Sequence, residues 1–334
     1  MANEEVESGR VIHAFLSLII PSANIMVIVV LCQLKKKKPN RNYVFILNLA
    51  AADLLVGVMC IGEVLDDATD ALFDNNLQLC LLRFCMTITP SIGSILTLLL
   101  VSLDRYLAVK LPLHYPILMS KKPIIFSLVV LWTVSFLVGH MPLIFSQLQQ
   151  SNFTDGCGLL SVAKSDYLYI ICFGIFIPAL LTLIGLHISV GKIAYVQHKQ
   201  IQRTHLHSDT PTTNLRHFKA LRTVFIVILC FILFWGPYYV TAIVKATCAS
   251  CSLHPQLRNF LYLLGETNSL INPFIYSFWG ESLNSHIGMQ VSIGIREISP
   301  ELPRHSQLCG IVYSIEKCQA AFVWQVNCRP CLCL

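Results

Sequence analysis

Residues 98–110 read LLLVSLDRYLAVK. Five of the first six side chains are apolar, and then an acid, a base and a phenol, Asp104, Arg105 and Tyr106, stand together. An apolar run that ends on a charge pair suits a helix leaving a low-dielectric layer for water. The rest of the chain has the same character. Of its 334 residues, 55% are hydrophobic and 13% charged, with a mean hydropathy of +0.64. Soluble domains carry about 25% charged residues, so this chain cannot cover a water-facing surface and its main solvent is lipid. The net charge of +6 comes from short basic segments, a pattern of membrane topology more than of nucleic-acid binding.

A helical span needs about 20 apolar residues. Seven segments qualify, at about 11–34, 43–65, 80–103, 123–145, 167–194, 218–246 and 257–278. Runs of this length far exceed a barrel strand, so the predicted fold is an all-α membrane protein, a bundle of seven transmembrane helices. KKKKPNR after the first run, KLPLHYPILMSKK after the third and the stretch from Lys192 to Arg222 after the fifth alternate with acidic or neutral segments. Basic loops stay cytoplasmic, which puts the N-terminus outside and the C-terminus inside. The single N-x-[ST] sequon, Asn152-Phe153-Thr154, falls in a predicted outer loop and is a glycosylation candidate. The expected organisation is an outer N-terminus over 1–10, a seven-helix receptor domain over 11–289 whose segment 280–289 forms a short eighth helix, and a cytoplasmic tail over 290–334. A polar linker covers 196–217. There is no basic n-region of a signal peptide in MANEEVESGR.

Intramembrane polar groups are costly and usually functional. Asn24, Asp53, Ser94, Asn268 and Asn272 lie within the apolar runs at similar depth, consistent with one shared water or ion site. Interhelical packing contacts are the plainer reading. Asn24, LNLAAAD (47–53), Cys80, DRY (104–106), Trp132, Pro178, FILFWGP (231–237) and NPFIY (272–276) occur in order, one set per run. This series resembles the signatures of rhodopsin-like G-protein-coupled receptors.

The resemblance implies roles. Arg105, held by Asp104 at rest, would meet a G protein after helix six swings out; Tyr106 completes that motif, and Leu113 would enter a G-protein pocket. The acid that often clamps Arg105 from helix six is replaced by His217. Phe231, Trp235 and Pro237 with Asn272, Pro273 and Tyr276 would form the activation switch, Pro237 kinking its helix. The polar five would bind water and a sodium ion that favours the inactive state. Cys80 and Cys157 would pair, as would Cys248 and Cys251, in an oxidising compartment. A zinc reading of the CASC pair lacks a second ligand pair.

The ligand follows partly from an absence. Amine receptors of the family place an Asp eighteen residues before Arg105, where this chain has Thr87. Thr87, Trp235, Tyr238, Tyr239, Phe260 and Tyr262 suggest an apolar pocket suited to a lipid chain. Glu63 and Glu266 are expected to approach each other in that pocket and to meet a ligand head group. FKALRTV, WGPYYVTAIV and YLLGETNSLINPFIYSFW resemble a lipid-sensing branch of the family that answers fatty-acid ethanolamides and lysophospholipids through Gs and cyclic AMP. The expected partners are therefore a heterotrimeric G protein, Gs, and a lipid-like agonist at the plasma membrane. No HExxH, GxSxG or GxxxxGK[ST] motif supports an enzyme, and no repeated halves support a transporter. Five tail cysteines, Cys309, Cys318, Cys328, Cys331 and Cys333, are candidates for lipidation.

Overall fold

The computed structural model describes residues 2–37, 42–68, 76–150, 157–204, 212–248, 251 and 254–279. Seven long helices make up its bundle: α1 (Ala2–Lys37), α2 (Asn42–Ala68), α3 (Leu77–Lys110), α4 (Lys121–Gly139), α5 (Ser165–Tyr169, then Ile170–Phe176 and Ile177–Thr204), α6 (Thr212–Thr247) and α7 (Pro255–Trp279). Among the described residues there is no β-strand, only an isolated bridge between Gln149 and Ala163.

Apolar side chains point both ways, which marks the solvent as lipid. Leu18, Phe126, Leu181 and Leu233 are each more than half exposed. Inside, Leu16, Ile20, Val56 and Cys60 pack α1 on α2. Gly57 is required there, because a Cβ would lie 2.8 Å from the Pro21 ring. Helix α3 is the central rod, the most buried of the spans, with an unbroken buried stretch over 87–95. Its first turn is capped by Asn76, whose side chain accepts from the amides of Gln78 (2.9 Å) and Leu79 (3.2 Å). It stops at Lys110 because Leu111 precedes Pro112, and a residue before proline avoids the helical region.

Among the described residues, six helices are long and apolar enough to cross a bilayer. The seventh, α7, falls short on composition, since Glu266, Thr267, Asn268, Ser269 and Asn272 all lie in its middle. One boundary differs from the sequence reading, and two helices show features that it did not include. Helix α1 starts at Ala2, so residues 2–10 continue the helix whose apolar span begins at Val11. The fourth run ends at Gly139, not 145: Pro142 cannot donate a hydrogen bond and opens a separate turn, Met141–Ile144. In α5 the Ile170–Phe176 stretch is π-helical, just before Pro178 interrupts the ladder.

Candidate functional site

Polar groups collect at three levels of the bundle. At the level of Arg105, Asp104 is fully buried. Its Oδ2 accepts from Arg105 Nη2 at 2.5 Å, and its Oδ1 accepts from the Tyr115 hydroxyl at 2.8 Å. Tyr115 opens the turn Tyr115–Leu118, so the loop after α3 folds back onto the acid. Lys110 Nζ donates to the Tyr106 hydroxyl at 2.7 Å. Leu113 is 87% exposed, the most accessible of the large apolar side chains there.

At mid-depth, Asn24, Asp53, Ser94, Asn268 and Asn272 are all buried. Asn272 Nδ2 donates to Asp53 Oδ2 at 2.9 Å, and Asn24 Nδ2 donates to the carbonyls of Ile20 (2.9 Å) and Ser269 (3.1 Å). These bonds tie α1 and α2 to α7. Four buried oxygens, the Oδ1 atoms of Asn24, Asp53, Asn268 and Asn272, accept no hydrogen bond. Beside them runs a network that the sequence reading did not assemble: Trp132 Nε1 donates to Asn48 Oδ1 (2.8 Å), and Asn48 Nδ2 to Thr97 Oγ1 (2.7 Å).

Phe231 and Trp235 are buried on α6. Trp235 lies flat against Gly265 of α7, where an added Cβ would sit 2.7 Å from its ring. Pro237 is inside α6 and half-buried; Pro273, inside α7, is buried.

At the third level, disulfides join Cys80 to Cys157 and Cys248 to Cys251. Thr87, Tyr238, Tyr239 and Tyr262 are buried nearby. Tyr239 stacks on Phe176 at 3.8 Å, Tyr238 meets Trp235 edge-on at 6.0 Å, and Phe84 meets Tyr262 edge-on at 5.6 Å. Phe260 is the exception. It is 59% exposed and faces away from this cluster, because it stands two positions before Tyr262 and so about 200° round the helix. Arg258 Nη1 donates to the Ser161 hydroxyl, fastening the start of α7 to the loop that follows Cys157.

Glu63 and Glu266 do approach each other, with 2% and 0% exposure. They come with two bases that the sequence reading passed over. Arg83 Nε donates to Glu63 Oε1 at 2.8 Å. His13 Nε2 lies 3.7 Å from Glu63 Oε2 and 3.8 Å from Glu266 Oε2. The Tyr262 hydroxyl donates to Glu63 Oε1 (3.1 Å) and lies 3.0 Å from Thr87 Oγ1. A signal was present: two buried acids need compensating groups, and His13 and Arg83 each stand alone in an apolar run.

A groove of about 520 Å³ lies elsewhere, between α2, α3 and α4, lined by Leu55, Met86, Pro90, Trp132, Phe136 and His140 among others. None of the pocket residues expected from sequence lines it. Its walls include the outward-facing Leu55, Phe136 and Leu137, so it opens toward lipid. His140 closes one end, stacked on Phe136 at 4.1 Å and 3.1 Å from Thr89 Oγ1. Burial holds its imidazole below the usual histidine range, partly offset by the Phe136 carbonyl.

Asn152, the eighth-helix segment 280–289 and the tail cysteines lie outside the described residues, as do the side chains of His217 and Tyr276.

The helix order, the buried charge pair of α3 and the two proline-bearing helices α6 and α7 agree with one family description. Residues 23–276 match the family model of the 7 transmembrane receptor (rhodopsin family). The chain belongs to this rhodopsin family of receptors. It is 33% identical over 325 residues to the human glucose-dependent insulinotropic receptor, covering 91% of this chain and 96% of that one. Against the rat glucose-dependent insulinotropic receptor the identity is 33% over 285 residues, with 84% and 61% covered. Adenosine receptor A2a of Canis lupus familiaris is 30% identical over 252 residues, 71% of this chain and 60% of its own length. The receptor thus spans about three fifths of the rat and canine relatives. It is a multi-pass protein of the plasma membrane and not an enzyme. As a family member it takes a small-molecule ligand and couples to a heterotrimeric G protein.

Proposed function

We propose that this receptor binds a lipid-type agonist, of the fatty-acid ethanolamide or lysophospholipid class, and signals through Gs to raise cyclic AMP. The observation that carries the reading is the composition of the Cys80 level. Phe84, Phe176, Trp235, Tyr238, Tyr239 and Tyr262 are aromatic, position 87 is a threonine, and the two acids, Glu63 and Glu266, lie together. Such a site fits a long apolar tail with a small polar head, and offers an amine no dedicated carboxylate at Thr87.

The N-terminus lies outside the cell in this reading and the Arg105 level faces the cytoplasm. At rest, Asp104 holds Arg105 and is itself held by Tyr115. Agonist binding shifts Trp235 against Gly265, α6 pivots about Pro237, and Arg105 is released toward the G protein, with Leu113 as a second contact. The four unpartnered oxygens around Asp53 suit a hard cation, and sodium there would stabilise the resting arrangement. Arg83 already engages Glu63, so the head-group role expected of the acid pair falls mainly to Glu266.

A cell line expressing the receptor, exposed to fatty-acid ethanolamides, lysophosphatidylcholine, adenosine and monoamines, tests this directly. Cyclic AMP should rise with the first two alone. A response to adenosine instead would favour the nucleoside reading that the A2a similarity invites, and a fall in cyclic AMP would replace Gs with an inhibitory G protein.

A further inference from the structure

His13 on α1, Glu63 on α2 and Glu266 on α7 point ligand atoms at one small volume. Those atoms lie within 4.8 Å of one another. Four atoms there make no hydrogen bond: His13 Nε2, Glu63 Oε2 and both oxygens of Glu266. Glu266 is 0% exposed, so its carboxylate cannot be satisfied by bulk water. Glu63 is satisfied on its other side, where Oε1 accepts from Arg83 and from Tyr262. Its Oε2 is therefore turned toward His13.

The spacing decides between two kinds of contact. At 3.7 and 3.8 Å from His13 Nε2, neither carboxylate oxygen is within the roughly 2.7–3.2 Å of a nitrogen–oxygen hydrogen bond. Tetrahedral ligands about 2.0–2.2 Å from a zinc ion are themselves about 3.3–3.6 Å apart. The two edges from His13 need to close by only a few tenths of an ångström, and the edge between the carboxylates starts within 4.8 Å. Charge points the same way. Arg83 is paired with Glu63, so Glu266 has no fixed cationic partner of its own, and a metal ion that displaced its proton would supply one.

We propose that His13 Nε2, Glu63 Oε2 and Glu266 Oε2 form a three-ligand site for a zinc-type divalent cation, joining α1, α2 and α7. An imidazole with two carboxylates is a zinc donor set, whereas calcium and magnesium prefer oxygen alone. Three protein ligands leave one position for water or for a polar group of a bound ligand. The ion would pin three helices beside Tyr262 and Thr87, and so modulate whatever small molecule the receptor takes. The site does not depend on that molecule being a lipid.

The test uses the full-length receptor in lipid nanodiscs, stripped with chelator and titrated with zinc chloride, with bound zinc counted by equilibrium dialysis. The wild type should bind one zinc per receptor more than His13→Leu or Glu266→Gln. For that site each substitution should weaken binding by about 100-fold or more, since losing even an outer-shell partner costs about 10–100-fold. His13→Cys, which keeps a ligand, should retain it. Zinc held by the many other cysteines and histidines stays common to all variants and cancels in the difference. Equal zinc counts in wild type and His13→Leu overturn the proposal, because His13 is partly exposed and its loss leaves the bundle packed. Displacement of the ion by millimolar calcium or magnesium would overturn the zinc assignment.

Discussion

Tyr115→Phe isolates one bond of the resting arrangement. The phenol donates to Asp104 Oδ1 at 2.8 Å, and Asp104 is fully buried, so the bond is charge-assisted and shielded from water. Hydrogen bonds to charged groups contribute about 1.5–3 kcal/mol. The substitution keeps the ring and its packing against the Phe45, Met119 and Ile124 cluster, and removes one oxygen. If the bond exists only while Asp104 is in its resting place, its whole value shifts the equilibrium toward the released state. At about 1.4 kcal/mol per factor of ten, that is about 10- to 150-fold. A receptor about 1% active without ligand would become about 10–60% active. The assay is ligand-free cyclic AMP in cells matched for surface receptor by antibody labelling of an N-terminal tag. Basal output unchanged at equal surface density would refute the idea that Tyr115 restrains Asp104. A fall would mean that the bond belongs to the active state.

Three further outcomes follow from other contacts. Leu113→Ala should cut the maximal agonist response several-fold with unchanged surface expression, because an 87% exposed leucine contributes nothing to packing; an unaltered response removes it from the G-protein surface. Gly265→Ala should cost about 1–3 kcal/mol by overpacking Trp235, lowering the melting temperature of the purified receptor and altering agonist efficacy together; a neutral effect on both would show that Trp235 is free to give way. His140 has a lowered folded-state pKa, so its neutral form is preferred in the bundle and it contributes stability above pH 6.5 that is lost as pH falls below that value. Between pH 7.5 and 5.5 the melting temperature of the wild type should therefore drop further than that of His140→Gln, and equal drops would contradict the assignment.

Much of this architecture is legible in the residues themselves. Apolar runs of bilayer length and alternating basic loops are strong signals, and each motif sits on the helix expected for it. The end of α4 is not legible in hydropathy, which continues through Met141 and Leu143, while Pro142 acts through its missing donor. The Cys80 level was half legible. Glu63 and Glu266 stand out as acids in oil, but which base answers them depends on how α1, α3 and α7 are rotated. A single histidine at position 13 or arginine at position 83 does not reveal that. Phe260 shows the same limit, since aromatic character gives no rotational phase, and only the packing of α7 turns Tyr262 inward and Phe260 outward.

The polarity of α7 bears on how the chain is made. Glu266 stands one residue from the middle of a 25-residue helix, and an acid at a span's centre disfavours insertion by up to a few kcal/mol. Asn268 and Asn272 add to that cost. A nascent α7 is thus a poor solitary substrate for the translocon. Its complement, however, is already in the bilayer: Asn24 and His13 on α1, Asp53 and Glu63 on α2, both synthesised first. On this account α7 is admitted because α1 and α2 hold its polar partners, so insertion of the seventh helix depends on the first two. A chain cut short before α7 leaves Asp53 without Asn272 and Glu63 without Tyr262, and cellular quality control would meet it as an unfinished bundle.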